Sequence, residues 1–268
     1  MSDPGAGGIR VGIGGWTYDA WRGTFYPAGL PAKSELGHAS RKLTSIEVNG
    51  TFYRSQTPEI FAKWREETPD GFVFALKGPR FVVNRREIGE AGEAVERFFA
   101  SGVMALKEKL GPVNWQFMPT RSFDPDAFAA FLACLPKSVE GRAVRHAVEV
   151  RHESFRSPDL VALAREHGVA IVVAGDCAHP QIADAAAPFV YVRIQGTSEG
   201  EPAGYSAGAL DRWAERARIW AAGGTPDDVE IVGAASTRSR PRDVFLYVIN
   251  GFKARNPAAA MALIDRLR

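Results

Sequence analysis

Eight short runs of β-branched, aliphatic and aromatic residues recur along the whole chain. They lie at 10–15, 45–50, 72–77, 113–117, 147–151, 170–174, 189–194 and 244–250, and amphipathic segments fill the gaps. Several runs are almost unbroken (FVFAL, AIVVA, FLYVI), as in parallel strands covered on both faces. Parallel neighbours need a crossover, and a helix on the sheet face supplies it. One domain built from eight such units predicts an α/β fold, a single (β/α)8 TIM barrel spanning residues 9–268. An open doubly wound sheet is the alternative.

The punctuation between the runs has a mechanism. Thr57-Pro58, Asp124-Pro125 and Ser157-Pro158 each place a side-chain oxygen at an N-cap and a proline at the first helical position. Gly111 and Gly168 follow helical patterns and suit the left-handed position that ends a helix. Phe128, Phe131, Leu132 and Leu135 recur at helical spacing, as do Trp213, Ala217 and Trp220. Only 180–188 is available between the sixth and seventh runs, so the sixth helix should be short or degenerate. Residues 225–243 read as an insertion before the eighth strand, with a short extra strand expected at 229–232. The polar, Gly/Pro-rich stretch 1–8 reads as a disordered N-terminal arm and not as a signal peptide.

Composition narrows the class. A hydrophobic fraction of 46% is enough for a sizeable core and excludes a disordered chain. Lys plus Arg number 33 against 31 for Asp plus Glu, so charge alone gives no case for a polyanionic partner. Two cysteines, Cys134 and Cys177, cannot build a multi-bridge framework or a four-thiolate zinc site. No run reaches the roughly 20 apolar residues of a membrane span. These features set the expectation of a cytoplasmic protein that does not engage a membrane.

The strands share a second property: large polar side chains stand at their C-terminal ends. The second run ends in Glu47 and Asn49, the third at Lys77, and the fourth carries Gln116. The fifth ends in Glu149 and Arg151, the sixth reaches Asp176, the seventh carries Arg193 and Gln195, and the eighth ends at Asn250. The two-residue period of a strand puts Glu47 with Asn49, Glu149 with Arg151, and Arg193 with Gln195 on common faces. In a barrel those ends converge on the face that carries active sites. Buried charges must pair with each other, meet water or meet a ligand. A layer of internal ion pairs closing the barrel mouth is the structural alternative to a pocket. Trp16, Tyr18, Phe52 and Tyr53 follow the first two strands and would wall such a pocket.

Named motifs are mostly absent. Gly12, Gly14 and Gly15 follow a strand, but Thr17 stands where a dinucleotide loop has its third glycine. There is no P-loop, no H-E-x-x-H and no G-x-S-x-G. Only His152 and His179 lie just past strand ends, and with Glu149 and Asp176 they match no recognised ligand spacing. No metal and no cofactor are therefore expected. Cys177 lies beside Asp176 with no identifiable base.

The strand-end segments resemble one known family. GIGGWTYDAWRGTFYP (12–27), SIEVNGTFYRSQTPEIFAKW (45–64), FVFALKGPR (72–80), LGPVNWQFMPT (110–120), AVEVRHESF (147–155), YVRIQG (191–196) and VFLYVINGF (244–252) are similar to the YecE-like proteins. These are bacterial and archaeal TIM-barrel proteins filed as a domain of unknown function. The resemblance runs from about residue 10 to the C-terminus and implies the same barrel. Likeness to xylose-isomerase and endonuclease IV-like barrels has prompted suggestions of sugar or nucleic-acid chemistry for the family. Trp16, Tyr18, Trp21, Glu47, Asn49, Phe52, Tyr53, Lys77, Gln116, Glu149, Arg151, His152 and Arg193 match the family pattern. Three family histidines are replaced: Val83-Asn84 stands for a Thr-His pair, Gln195 for the seventh-strand histidine, and Asn250-Gly251-Phe252 for Asn-Asn-His.

The sequence thus sets the expectation of a metal-independent enzyme acting on a small anionic molecule, such as a sugar phosphate or nucleotide fragment. Lys77, Arg151 and Arg193 would bind the anion. Glu47 and Glu149, with Lys77, would supply the catalytic groups. Asn49, Gln116, Gln195 and Asn250 would orient the substrate, and Trp16, Tyr18, Tyr53 and Asp176 would border it. The alternatives are a non-catalytic ligand-binding barrel and a nucleic-acid binder or nuclease. The last would use Arg54, Arg80, Arg85, Arg86, Arg238, Arg240 and Arg242 against phosphates.

Overall fold

A computed structural model describes residues 7–234 and 240–268. Eight strands close into a parallel barrel in chain order: β1 (Ile9–Gly14), β2 (Ser45–Val48), β3 (Val73–Lys77), β4 (Leu110–Gln116), β5 (His146–Glu149), β6 (Ala170–Gly175), β7 (Phe189–Ile194) and β8 (Asp243–Val248). The last strand pairs with the first, with Val11 opposite Leu246 and Ile13 opposite Val248. The chain is therefore a TIM barrel, and the open doubly wound sheet is excluded.

Period-two alternation splits the apolar residues into two cores. Ala75, Ala147, Val172, Phe189, Tyr191, Phe245 and Tyr247 point inward and fill the barrel. The alternate positions, among them Ile46, Phe74, Leu76, Val148 and Leu246, face outward and pack under the helices. Those helices are α1 (Glu35–Lys42), α2 (Pro58–Glu67), α3 (Gly92–Ala100), α4 (Pro125–Ala133), α5 (Pro158–His167), α6 (Ala207–Ala221) and α7 (Asn256–Leu267). Phe128, Phe131 and Leu132 on α4 and Trp213, Ala217 and Trp220 on α6 are buried, as their spacing predicts. Asp124 and Ser157 cap α4 and α5 through their side chains, at 3.0 and 3.1 Å. Thr57 precedes α2 without a side-chain cap.

Several expectations need correction. Gly111 does not end a helix but lies inside β4. Any Cβ there would fall 2.6 Å from Val73 Cγ1 and 2.8 Å from the Phe74 carbonyl oxygen, so the residue is glycine because two strands approach closely. Gly111→Ala is expected to cost about 2 kcal/mol, measured as a lower urea midpoint. An unchanged midpoint would show that β3 and β4 separate without strain. Gly7 and Gly8, expected in the N-terminal arm, are tied to the barrel. The Gly7 amide donates to the Ala221 carbonyl, and the Gly8 carbonyl accepts from Val244, both at 2.9 Å.

No helix lies between β6 and β7. The place is taken by two irregular segments held together by a side chain. Asp184, buried, accepts from the Val232 and Gly233 amides at 2.7 and 3.0 Å, and the Ala183 amide donates to the Glu230 carbonyl. Residues 229–232 do not form the expected strand: the Val232 amide is taken by the Asp184 carboxylate and the Glu230 carbonyl by the Ala183 amide. A two-stranded antiparallel hairpin, Ser138–Val139 with Arg142–Ala143, precedes β5, outside the eight strand runs of the sequence.

Candidate active site

Inward-facing positions change from apolar to charged at the C-terminal ends of the strands. Glu47 on β2 stands opposite Gly14 and Ala75, Gln116 on β4 opposite Glu149 on β5, and Arg193 on β7 opposite Ala174 and Tyr247. Five strands thus place Glu47, Lys77, Gln116, Glu149 and Arg193 in one layer.

Arg193 is the centre of that layer. Its Nη2 donates to Glu47 Oε1 at 2.9 Å, and its Nη1 to Glu149 Oε2 and, at 3.3 Å, to Gln116 Oε1. Arg151 closes on the other carboxylate oxygen, with Nε and Nη2 at 2.9 and 2.7 Å from Glu149 Oε1. Burial alone would raise the Glu149 carboxyl, but Arg193 and Arg151 outweigh it and hold the group at about 2. Tyr191 donates to Glu47 Oε2 at 2.7 Å, and Asn114 donates to Glu149 Oε2 at 3.2 Å. Both carboxylates are fully buried and occupied on both oxygens.

Lys77 has a different environment. Its Nζ donates to Gln116 Oε1 at 2.8 Å and lies 4.3 Å from the centre of the Phe52 ring. Burial lowers its ammonium most, Arg193 and Arg151 lower it further, and the attraction of Glu47 and Glu149 offsets only part. The result is a value of about 8.

Above the layer opens a cavity of about 780 Å³. Trp16, Tyr18, Asn49, Tyr53, Lys77, Gln116, Arg151, Arg193, Gln195 and Asn250 all border it. Glu47 and Glu149 lie beneath this wall. Asp176 does not border the cavity: it sits past β6 with a left-handed backbone (φ 55), and its Oδ2 accepts from the Trp213 indole at 2.9 Å. Further residues complete the wall without having been singled out as binding groups: Trp21, Gln56, Trp64, Lys253 and Asn256. Lys253 follows the end of β8 at Val248 by five residues, a position that hints at the rim. Arg54, assigned above only to a nucleic-acid face, also belongs to this wall. The aromatic side is braced edge-to-face, with Trp16 5.1 Å from Trp64 and Tyr18 5.4 Å from Trp21.

The arginine set of the nucleic-acid alternative loses at least one member to the interior. Arg242 is buried and donates to the Gly224 carbonyl at 2.9 Å, and Arg238 lies outside the described residues. Cys177 accepts from Gln195 Nε2 at 3.2 Å, and burial pushes its thiol up, opposite to what an activated nucleophile needs. His152 caps the turn Glu153–Phe155 through Nδ1. Among the described residues no three His, Cys, Asp or Glu side chains are grouped to hold a metal ion. No helix among them is long and apolar enough to cross a membrane.

A parallel eight-stranded barrel with a polar cavity at its C-terminal strand ends defines the class, a TIM-barrel protein. The chain belongs to the family described as "Protein of unknown function DUF72", whose model matches residues 10–268. It is similar to the UPF0759 protein YecE of Escherichia coli K12, 27% identical over 150 residues that make up 55% of this chain and 50% of that protein. The match thus spans about half the length of that relative. It is also similar to the UPF0759 protein YunF of Bacillus subtilis, 24% identical over 203 residues, 72% of this chain and 67% of that one. A DUF72 family protein from Thermotoga maritima superposes with a TM-score of 0.70 at 20% identity, covering 96% of this chain and 97% of that one. Another, from Enterococcus faecalis, gives 0.71 at 16% identity over 97% and 95%. At those identities the likeness shows the fold.

Proposed function

We propose that the protein is an enzyme that binds a small anionic molecule in the strand-end cavity, with no metal in the site. One observation carries this reading. The charged side chains bordering the cavity are Arg54, Lys77, Arg151, Arg193 and Lys253, and no Asp or Glu borders it among the described residues. In the layer below, the three cations Lys77, Arg151 and Arg193 face two carboxylates, Glu47 and Glu149. That leaves one positive charge in excess at the buried floor of the cavity, where an anion is attracted. The volume suits a ligand of sugar-phosphate size.

The internal ion pairs redistribute the roles expected from sequence. Arg193 is committed to Glu47 and Glu149, so it organises the layer and its charge acts at a distance. Arg151 binds Glu149 with one edge and keeps partial exposure, which suits it to hold the anion. The two carboxylates have no free oxygen for proton transfer, whereas Lys77 is an amine that changes protonation state near neutral pH.

Glycerol 3-phosphate in thermal-shift titration tests the reading. An anion at 100 times its dissociation constant should stabilise the fold by ~2.7 kcal/mol, a rise of roughly 5–10 °C for a chain of this size. Arg151→Gln should weaken that binding by about tenfold or more. No shift with glycerol 3-phosphate, inorganic phosphate, nucleoside monophosphates or small organic acids would overturn the reading.

A further inference from the structure

The mouth of the barrel contains one amine whose surroundings differ from those of every other cation in the layer. Arg151 and Arg193 are each bonded to carboxylates, while among the described residues no carboxylate forms an ion pair with Lys77. Lys77 is 6% exposed, borders the cavity, and is held by one hydrogen bond to the Gln116 amide oxygen and by the face of Phe52. The same amide oxygen accepts from Arg193. The lysine tip is thus positioned without being neutralised, between an aromatic ring and a second cation. A desolvated lysine beside another cation is the arrangement that turns an ammonium into a nucleophilic amine.

We propose that Lys77 attacks an aldehyde or ketone carbonyl of the substrate and forms an imine with it. The proposal rests on the pocket reading above only in taking the cavity over Lys77 as the substrate site. The step balances without an oxidant or reductant. The ammonium releases one proton, and the freed lone pair of Nζ forms the bond to the carbonyl carbon, giving a carbinolamine. The carbonyl oxygen collects that proton and a second one that Nζ gives up once bonded to carbon. As its bond to carbon breaks and it leaves as water, the Nζ lone pair forms the second C–N bond. The product is a protonated imine carrying one N–H. Ammonium plus carbonyl therefore gives iminium plus water.

The buried network favours this product for an electrostatic reason. The protonated imine carries the same single positive charge as the ammonium it replaces, so Glu47, Glu149, Arg151 and Arg193 keep their balance and their bonds. The iminium needs fewer hydrogen-bond acceptors than an ammonium, one N–H in place of three. Among the described residues Gln116 Oε1 is the one acceptor that Nζ bonds, so the product fits the site better than the resting group does. Arg193 and Arg151, with burial, favour the free amine, while Glu47 and Glu149 oppose it only in part.

Borohydride trapping tests the proposal on the full chain. The protein is incubated at pH 7 with sodium cyanoborohydride and dihydroxyacetone phosphate, glyceraldehyde 3-phosphate or pyruvate. Modified lysines are then located by peptide mass spectrometry. An amine near 8 is free base to a fraction roughly 200-fold greater than an exposed lysine at pH 7. Lys77 should therefore be labelled at least about tenfold faster than any surface lysine. Labelling should rise with pH and level off above about 8, and Lys77→Arg should abolish it. Mapping on the unaltered chain keeps the test valid if that variant misfolds. Adducts spread over surface lysines with Lys77 not enriched overturn the proposal. If glycerol 3-phosphate nevertheless raises the melting temperature, the anion pocket stands without the imine. Equal enrichment of Lys77 by dihydroxyacetone and its phosphate, with no thermal shift by glycerol 3-phosphate, leaves the imine and removes the anion pocket.

Discussion

Replacing Arg193 with methionine is expected to lower stability by about 3–5 kcal/mol, a fall in melting temperature of roughly 10 °C or more. The guanidinium is 5% exposed, and its carboxylate partners are 0% and 1% exposed. Removing it leaves Glu47, among the described residues, with only the Tyr191 hydroxyl, and Glu149 with Arg151 and Asn114. An uncompensated charge in that setting is far costlier than a missing apolar contact. The triple replacement Glu47→Gln, Glu149→Gln, Arg193→Met separates loss of charge balance from loss of packing, and should recover at least half of the deficit. A single-variant melting temperature within about 2 °C of the parent would show that water or rearrangement neutralises the layer.

The second large effect is acid lability. His146, at the start of β5, is buried against Trp115 and Phe99 with both ring nitrogens engaged. The Trp115 indole donates to Nδ1 at 3.1 Å, and Nε2 bonds the Pro136 carbonyl at 2.8 Å. The two bonds together require a neutral ring with its proton on Nε2, because a proton on Nδ1 would face the indole N–H. Burial pushes this histidine down to about 4, against a weaker opposing pull from the Pro136 carbonyl. Its native state binds fewer protons than the unfolded chain, so its contribution is complete above about 6.5 and is lost as pH falls towards 4. Glu149, depressed to about 2, contributes fully above about 4.5 and loses its contribution between there and 2. Each group stands for about 3 kcal/mol. The free energy of urea unfolding should therefore decline in two consecutive stages between about pH 6.5 and 2. His146→Gln should remove most of the first stage and leave the second, the remainder of the first coming from His179, which burial and Arg151 also lower. A flat profile from pH 7 to 4.5 would rule out the neutral buried imidazole.

How far the sequence reveals the molecule depends on what each residue's position reports. FVFAL, AIVVA and FLYVI are unbroken because both faces of their strands are covered, so the barrel is legible from them. Glu47, Lys77, Glu149 and Arg193 are legible as a group because a charge ending an apolar run cannot face the helices. Their pairing is not legible: nothing in the spacing says that one arginine takes both glutamates or that Lys77 is left with an amide. Tyr191, Tyr247, Ser45 and Asn114 stay hidden for a related reason. Within an apolar run they read as core, yet Ser45 shares a 2.7 Å bond with Tyr247, and Tyr191 holds Glu47. Asp176 ends the sixth run as the others end theirs, but its backbone turns left-handed and aims the carboxylate at Trp213. The turn depends on backbone angles at one residue, which a polar side chain does not announce. The missing sixth helix follows from the shortage of residues, whereas its replacement by 229–233 depends on a contact about fifty residues away, which local pattern does not carry.

That replacement has a consequence for how the molecule behaves among its own copies. Val229, Ile231 and Val232 form a β-prone run at the surface, and Ile231 is 43% exposed. Left with open amides, such a run is an adhesive edge on which a second chain can extend a sheet. Asp184 occupies the amides of Val232 and Gly233, and Ala183 occupies the Glu230 carbonyl. One buried carboxylate thus guards the flank of the barrel against edge-to-edge aggregation, in the gap where every other crossover has a helix to do so.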